Sequence, residues 1–301
     1  MDKKLTIKVI AAALICHIFW GFSFMASDYA LGQAHVFVLL SHRFLLAFII
    51  MSLLVLFRFA KLSFRGKRVP LLLLLGILEP VIYFFGEQYG ILHSGTVFSG
   101  VMIAMIPVFC TIAAALILHE KPTVGQVIFC VISVGGVIGL GLMGSKSGTV
   151  ELIGVLALIV AVVGATGYTL LSRRLSNEFT PFERTYMMIA VGAVVFTVCA
   201  FIRCGGSPME YVRPFADGKY ILCVLFLSVC CSVICYFMSS YAITYMSVAR
   251  ETVFANLTTA VSVFAGVVFL HEPFSWLGLV CCILILAGIY GVQKTARKES
   301  E

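Results

Sequence analysis

The sequence predicts an all-α membrane protein with ten transmembrane helices arranged as two inverted five-helix repeats. Three observations carry this prediction: long apolar runs, an uneven distribution of lysine and arginine among the loops, and an internal repeat. Hydrophobic residues make up 61% of the 301 residues, and charged residues only 12%. A soluble domain normally holds about 45–50% apolar and about 25% charged residues. The composition therefore excludes an ordinary soluble domain.

Each predicted helix is an apolar run of about 20 residues, the length that crosses a bilayer core. The predicted helices cover residues 7–27, 36–57, 70–89, 96–118, 124–143, 151–171, 184–203, 220–240, 252–270 and 275–293. The first run follows Lys3, Lys4 and Lys8. It is longer than the apolar part of a signal peptide and ends without a clear cleavage motif, so we predict an uncleaved first helix.

The basic residues sort to one side of this arrangement. With a cytoplasmic N-terminus, sixteen of the 21 lysines and arginines fall in cytoplasmic segments, four fall in external segments, and Arg43 lies inside a span. The positive-inside rule then predicts a protein of the cell membrane with both termini in the cytoplasm. The net charge of +7 is thus a topology signal and not the mark of a nucleic-acid partner.

The chain repeats itself at an offset of 152 residues. The third to fifth helices align with the eighth to tenth without a gap, and the strongest match is His119-Glu120 with His271-Glu272. Further matches are Phe85 with Phe237, Tyr89 with Tyr241, Gly136 with Gly288 and Gly139 with Gly291. Thr123 and Ser275 stand where helices restart, as N-caps do, and Gln126 completes a capping-box pattern with Thr123.

The two repeats are predicted to have opposite orientations in the membrane. Residues 1–143 and residues 151–293 each hold five predicted helices. Because five is odd, the second half enters from the opposite side, which puts Glu120 on the cytoplasmic side and Glu272 on the external side. Inverted repeats around a midplane site are common in secondary transporters, since exchanging the conformations of two similar halves exchanges inward and outward access.

These motifs together resemble the drug/metabolite transporter superfamily, in its EamA-type ten-helix branch. The resemblance covers nearly the whole chain and rests on Trp20-Gly21 with Phe24, Arg43-Phe44 with Ala47, the stretch from Ser94 to Pro107, both His-Glu pairs and the glycines of the fifth and tenth helices. It implies inverted five-helix repeats and a cavity lined by the first, third, fourth, sixth, eighth and ninth helices. It implies no single substrate, since such proteins move amino acids, nucleosides, quaternary amines and drugs.

Two positions depart from that pattern. The first half has Pro107 where the second has Thr259, so we expect the two halves to bend differently. The smaller four-helix relatives carry a glutamate in the first helix, whereas this chain has His17 there. Their coupling chemistry therefore does not transfer to this sequence.

Charged side chains in the third helix are the leading candidates for a transport path, because each is costly inside a bilayer. Glu79, Tyr83 and Glu87 recur at a spacing of four, which puts them on one helix face. Counting 1.5 Å per residue from Pro70 places Glu79 roughly 14 Å into the span, near the midplane, and Glu87 in the outer part. A carboxylate beside a tyrosine suits an amine-bearing solute or a titrating proton. The alternative is a structural ion pair with Arg43.

Aromatic and polar residues of other helices are the second set of candidates. His17, Trp20 and Phe24 share one face of the first helix, either as packing or as a cavity lining for a cationic solute. Tyr236 and Asn256 are predicted polar anchors from the eighth and ninth helices.

The remaining candidates are structural or gating residues. Glu120 and Glu272 are predicted at helix ends, and Pro107 at a bend. Neither His-Glu pair has the second histidine of a zinc-protease motif, and the glycines between residues 135 and 144 lack the lysine of a phosphate loop. We therefore expect no metal, no other cofactor and no enzymatic activity.

The predicted function is secondary active transport of a small organic solute by alternating access, with coupling to protons left open. The alternatives are a channel, a membrane-embedded sensor, or a membrane-embedded enzyme. The expected partners are the solute and the lipid bilayer, and a homodimer is left open.

Overall fold

The computed structural model describes residues 3–117, 123–146, 148–245, 248–272 and 275–299, and the regular elements in these residues are all helical. The α-helices are α1 (Lys3–Leu31), α2 (Val36–Leu56), α3 (Val69–Gly76), α4 (Tyr83–Ile103), α5 (Ile106–Ile117), α6 (Val124–Lys146), α7 (Leu152–Leu175), α8 (Pro181–Arg203), α9 (Pro208–Val212), α10 (Gly218–Leu225), α11 (Cys235–Tyr245), α12 (Val248–Phe269) and α13 (Trp276–Glu299). Two π-helical segments, Ile77–Ile82 and Phe226–Ile234, join α3 to α4 and α10 to α11, and a 3₁₀ turn, Arg213–Ala216, follows α9.

Six helical stretches of the described residues are long and apolar enough to cross a membrane, and shorter apolar helices accompany them. The six are Lys8–Leu31, Val36–Leu56, Val69–Ile103, Leu152–Leu175, Pro181–Arg203 and Gly218–Ala242. Large apolar side chains are exposed along their surfaces, Leu152 and Ile202 among them. Such a surface is stable against lipid, where helices satisfy their own backbone hydrogen bonds.

Side-chain caps set the start of several helices. Thr123 and Gln126 form the predicted capping box: the Gln126 N–H donates to Thr123 Oγ1 at 3.1 Å, and the Thr123 N–H donates to Gln126 Oε1 at 2.8 Å. Ser275 accepts from the N–H of Gly278 at 3.1 Å, as predicted for an N-cap. A capping box that the sequence analysis missed, between Thr180 and Glu183, starts α8.

The third and fourth predicted helices are less regular than expected. Glu79 has an extended backbone (φ −143°, ψ 115°) inside the first π-helical segment, and Gly95, at φ 73°, separates the two predicted spans. The fourth span breaks again at residues 104–105, just before Pro107, which cannot donate a backbone hydrogen bond to the preceding turn. Helix α12 runs through Thr259 without a break, so the expected difference between the two halves is present.

Close helix pairs hold the elements around the centre of the molecule. The main pairs are α6 with α13, α4 with α7, α2 with α8, and α1 with α12. Glycines allow these approaches: a Cβ on Gly86 would lie 2.3 Å from the Ala157 carbonyl oxygen, and one on Gly21 would lie 2.4 Å from Val261 Cβ. Close backbone contact at small residues is the usual packing of membrane helices.

Candidate functional site

A central cavity of about 110 Å³ lies where helices of both halves of the chain meet. Helices α1, α2, α4, α5, α7, α11 and α12 and the first π-helical segment contribute to its wall. Its polar and aromatic lining consists of His17, Trp20, Ser23, Phe24, Arg43, Glu79, Tyr83, Phe84, Glu87, Tyr168, Thr169, Tyr236, Ser239, Thr258 and Thr259. The cavity thus combines aromatic rings with a small number of charged groups.

Glu79 projects into this cavity from the irregular stretch of backbone described above. Its carboxylate accepts a hydrogen bond from the Tyr236 hydroxyl of α11. The Tyr236 ring meets the Trp20 ring edge-on at a centroid distance of 5.2 Å, and Trp20 Nε1 donates to the Cys231 carbonyl oxygen at 3.1 Å. The first, third and eighth predicted helices therefore meet at Tyr236, whose ring contacts Trp20 and whose hydroxyl binds Glu79.

Glu87 is the second carboxylate of the cavity. It lies one helical turn beyond Tyr83, whose hydroxyl donates to its Oε1 at 2.6 Å, and Gln88 Nε2 donates to its Oε2 at 2.9 Å. Because α4 is regular here, Tyr83 and Glu87 share a face as the spacing predicts. Glu79 precedes the regular helix and takes its tyrosine partner from another helix instead.

Arg43 is 1% exposed and lies against the same cavity. Its Nε donates to Ser232 Oγ at 2.9 Å, and its guanidinium carbon lies 4.2 Å from the centroid of the Phe84 ring. Within the described residues, Nη1 is buried without a hydrogen-bond partner. The side chain is fixed by a hydroxyl and an aromatic face, which are suited to a planar cation.

The His17 ring also meets the Trp20 ring edge-on, at a centroid distance of 5.3 Å. Its Nδ1 lies 2.8 Å from Thr258 Oγ1 of α12, and that hydroxyl also lies within hydrogen-bond reach of the His17 carbonyl oxygen. Phe24 lines the cavity as well, so the predicted face of the first helix reaches the cavity at all three positions.

The predicted gating residues and Asn256 do not all reach the cavity. Glu272 lines a separate pocket with Asp28, and its carboxylate accepts the N–H groups of Thr96 and Val97 at 2.7 and 3.0 Å. Pro107 lines the central cavity at the start of α5. Glu120 lies outside the described residues, as does the side chain of Asn256.

Several lining residues were missed by the sequence analysis. Tyr168 is 5% exposed and lies with its ring 6.3 Å from that of Tyr236. It is the one aromatic residue of α7, a signal that was available in the sequence. Thr258, which lines the cavity, and Ser232, which binds Arg43, carry no such signal, because small hydroxyl residues are scattered through many of the apolar runs.

Arg184 was counted in the sequence analysis among the basic residues of cytoplasmic segments, and its buried contacts were not predicted. It is fully buried at the start of α8 and donates to Ser172 and to the Ser240 carbonyl and Thr244 hydroxyl oxygens at 2.8–3.0 Å. Glu183 beside it accepts from Lys67 Nζ at 2.8 Å. These contacts tie the loop before α3 to the ends of α7, α8 and α11.

Ionisable groups outside the membrane spans also form hydrogen bonds that hold the loops in place. Glu178, between α7 and α8, accepts from the backbone N–H and guanidinium of Arg68, and these hydrogen bonds lower the pKa of its carboxyl. Asp217 accepts from the Tyr29 hydroxyl at 2.7 Å, which lowers its pKa in the same way.

Apolar helices that surround a cavity holding buried carboxylates define a multi-pass membrane protein of the transporter class. The model of the EamA-like transporter family matches residues 7–142 and again residues 152–293. The chain belongs to the EamA-like transporter family.

Relatives and a solved structure agree with that assignment. The "Uncharacterized transporter YcxC" of Bacillus subtilis is 32% identical over 293 residues, which cover 96% of this chain and 94% of the relative. An "Uncharacterized transporter" of Archaeoglobus fulgidus is 25% identical over 92% of this chain and 95% of its own length. A solved chain described as "Crystal structure of protein" has a TM-score of 0.69 at 18% identity, covering all of this chain and 99% of its own, and supports the fold alone.

Proposed function

We propose that this membrane transporter is a secondary active carrier of a small organic solute, working by alternating access across the cytoplasmic membrane. The observation that carries the proposal is the central cavity, to which both halves of the chain contribute and in which Glu79 and Glu87 are each bound by a tyrosine hydroxyl. A few placed polar groups in an otherwise apolar pocket are typical of small-molecule sites.

The proposal includes ten spans in two inverted repeats, residues 1–143 and 151–293. Reciprocal contacts between α6 and α13 support it. Gly136 packs against Ile285: a Cβ on Gly136 would lie 2.6 Å from Ile285 Cγ1. Gly288 packs against Ser133: a Cβ on Gly288 would lie 2.2 Å from Ser133 Oγ. Gly288 is the repeat equivalent of Gly136, and Ser133 is the repeat equivalent of Ile285, at the offset of 152 residues. The two contacts are therefore those that a two-fold axis between the halves generates.

The two π-helical segments support the same symmetry. Shifting Ile77–Ile82 by 152 residues gives residues 229–234, which lie inside the second segment, Phe226–Ile234. Equivalent helices of the two halves therefore both contain a π-helical turn, a rare irregularity, at equivalent positions. π-helical turns occur mostly at functional sites. Here the first segment lines the cavity through Glu79, and the second contacts the lining residues Trp20 and Arg43 through Cys231 and Ser232.

Separate cavities favour a carrier over a channel. Within the described residues, the central cavity and the pocket around Glu272 share no lining residue. A pore that is open across the membrane would connect them. A carrier whose central site is reached from one side at a time needs no such connection.

Glu79 is proposed as the proton-coupling group. It lies at the junction of three predicted helices, where a change in its protonation alters its bond to Tyr236 and hence the contact between the two halves. Glu87, which is held by donors of its own helix, is expected to contribute less. Arg43 is proposed to offset part of the negative charge of Glu79 and Glu87 in the cavity.

Proteoliposomes containing a pH-sensitive dye test this function against a panel of amino acids, amines and nucleosides. For a transported solute we expect proton flux with the wild type, none with Glu79→Gln, and reduced flux with Glu87→Gln. Exchange of labelled solute at equal pH should persist in Glu79→Gln, because exchange needs no net proton movement.

The Glu178→Gln variant, at a half-buried carboxylate in the loop between α7 and α8, is the control for loss of a carboxylate outside the cavity and should keep the proton flux of the wild type. A stably folded Glu79→Gln protein with unchanged pH dependence would remove the coupling role. Uptake that does not saturate, with no acceleration by solute on the opposite side, would indicate a channel instead.

A further inference from the structure

A groove of about 570 Å³ lies on the surface of the helix bundle, and none of its described lining residues borders the central cavity. Its floor is one face of α1, from Ile18 to Tyr29. One wall is formed by α10 and the start of the second π-helical segment, from Lys219 to Phe226, and the other includes Phe269 at the end of α12. We call it the α1 groove. Apart from Lys219, the described residues that line it carry no charge.

The α1 groove lies within the part of the chain that spans the membrane. Lys8–Leu31 and Gly218–Ala242, which hold its floor and one wall, are both long and apolar enough to cross a bilayer. Leu222 and Phe269 of its walls are exposed. An apolar groove at this depth holds no ordered water, because water would have too few polar partners there, so lipid chains are the molecules that fill it.

The length of the groove matches one leaflet of the bilayer. Ile18 and Tyr29 are about three helical turns apart, so they lie on nearly the same face of α1 and roughly 16 Å apart along its axis. Half of a bilayer core is about 15 Å thick. Tyr29 lies near the end of α1, and at the Ile18 end the Phe19 and Phe226 rings meet edge-on at a centroid distance of 5.9 Å. A single acyl chain therefore fits between the membrane surface and these two rings.

The end of the groove at the membrane surface carries a cation. Lys219 lies there, at the start of α10. The carboxylate beside it, Asp217, accepts from the Tyr29 hydroxyl at 2.7 Å and from the Lys219 backbone N–H at 2.9 Å, and it lines a different crevice. Among the residues that the structure describes, none forms an ion pair with the exposed Lys219 ammonium group. A cation and a tyrosine at the end of an apolar groove are the groups that meet lipid headgroups.

We infer that the α1 groove binds a phospholipid with an anionic headgroup, one of whose acyl chains lies along α1 while its phosphate accepts a hydrogen bond from Lys219 Nζ. In the orientation proposed above, this lipid belongs to the outer leaflet. The bound lipid touches α1, α10 and α12 together, and it therefore stabilises the conformation in which the outer ends of these helices are close. Its binding depends on neither the solute nor proton coupling, so its absence would leave the proposed function standing.

Lipids with identical chains and different headgroups test this site. Delipidated protein in detergent is titrated with phosphatidylglycerol, with phosphatidylcholine, and with glycerophosphoglycerol, which has the anionic headgroup but no chains. The melting temperature reports stabilisation, and native mass spectrometry counts the lipids that stay bound. We expect one tightly bound phosphatidylglycerol, a smaller rise of the melting temperature with phosphatidylcholine, and no rise with glycerophosphoglycerol, because the chain supplies most of the buried apolar area.

Two substitutions separate the headgroup contact from the chain contact. Lys219→Gln, at an exposed position, should weaken phosphatidylglycerol binding about fivefold, to the level of phosphatidylcholine, because one lysine attracts an anionic headgroup by about that factor. Met25→Trp, which places a larger side chain on the floor of the groove, should weaken the binding of both lipids. Arg213→Gln is the matched control: it removes an exposed cation from the loop before α10, outside the groove, and should keep the preference.

Equal stabilisation of the wild type by the two phospholipids would overturn the inference, as would an unchanged preference in Lys219→Gln. A preference lost equally in Arg213→Gln would do the same, because it would show attraction to the general surface charge. Stabilisation by glycerophosphoglycerol alone would indicate a phosphate site without a chain contact. Loss of a dimer in Met25→Trp, with lipid binding intact, would assign the groove to a second copy of the chain.

Discussion

At the scale of single residues, Glu272 shows how a charge near a helix end is used. Its carboxylate receives the N–H groups of Thr96 and Val97, the first residues after the turn at Gly95. Those groups have no acceptor inside the helix that they begin, and the positive end of the helix dipole favours an anion there. A Cβ on Gly95 would lie 3.2 Å from Glu272 Oε2, so glycine also leaves room for the carboxylate.

Replacing Glu272 with glutamine should therefore destabilise the protein by about 1–3 kcal/mol, because one amide oxygen replaces two charged acceptors. The measurement is thermal unfolding of the purified protein. Glu151→Gln is the matched control, since that exposed carboxylate contacts His93 and should contribute much less. If the two variants have the same melting temperature, Glu272 does not stabilise the helix by capping it.

Contacts of single residues can be predicted from the sequence when the two residues are close along the chain. Tyr83 and Glu87 lie four residues apart in a regular helix and form the bond that this spacing predicts. The partner of Glu79 is 157 residues away, and no local pattern specifies it. Arg184 has the composition of a loop cation, yet its four acceptors are brought together only by tertiary packing.

At the scale of helices, glycines set how closely α6 and α13 approach. A side chain on Gly288 would lie 2.7 Å from the Phe129 carbonyl oxygen, and backbone cannot move aside cheaply. Gly135, by contrast, has no atom within 4 Å of its Cβ position. These glycines therefore have different roles although both lie in apolar helices.

We expect Gly288→Ala and Gly136→Ala to destabilise the protein by about 1–3 kcal/mol each, the usual cost of overpacking. Gly135→Ala should be neutral or stabilising by up to about 1 kcal/mol, because alanine is the better helix former. Melting temperatures of the three variants test this directly. A Gly288→Ala protein as stable as Gly135→Ala would show that α6 and α13 are not in close contact.

The irregular helices mark the limit of prediction at this scale. Apolar runs of about 20 residues predict where helices lie, and the caps at Thr123 and Ser275 were found from the sequence. The π-helical segments were not, because a one-residue insertion into a helix leaves its apolar composition unchanged. Pro80 lies within the first segment, but the second segment contains no proline, so the residue type alone did not reveal the shared irregularity.

At the scale of the whole molecule, membership of the EamA-like transporter family was predicted from the order of weak motifs along the chain. Each motif alone is short, and the family model matches the chain twice, over residues 7–142 and 152–293. The cavity could be expected from that resemblance, but its charge pattern depends on how Arg43, Glu79 and Glu87 are oriented. Orientation comes from contacts between distant helices, which a single sequence does not specify.

The proposed inverted symmetry leads to a prediction about two equivalent loops. Lys61 follows α2, and Arg213 lies 152 residues further on, in the 3₁₀ turn after α9; both are exposed. If the repeats are inverted, these positions lie on opposite sides of the membrane, with Lys61 inside. Parallel repeats would put both on the same side.

Single cysteines at the two positions, in a cysteine-free background, distinguish these arrangements by labelling with a membrane-impermeant maleimide. In intact cells we expect Arg213→Cys to react and Lys61→Cys to react only after permeabilisation. Gly148→Cys and Asn177→Cys, which flank α7, give an independent pair with the same expected contrast, Gly148 outside and Asn177 inside. Because α7 is a single uninterrupted helix, this second pair fixes the side of each reporter without any assumption about the repeat. Labelling of positions 61 and 213 from one side, with 148 and 177 still on opposite sides, would reject the inverted repeat while keeping a membrane-spanning α7.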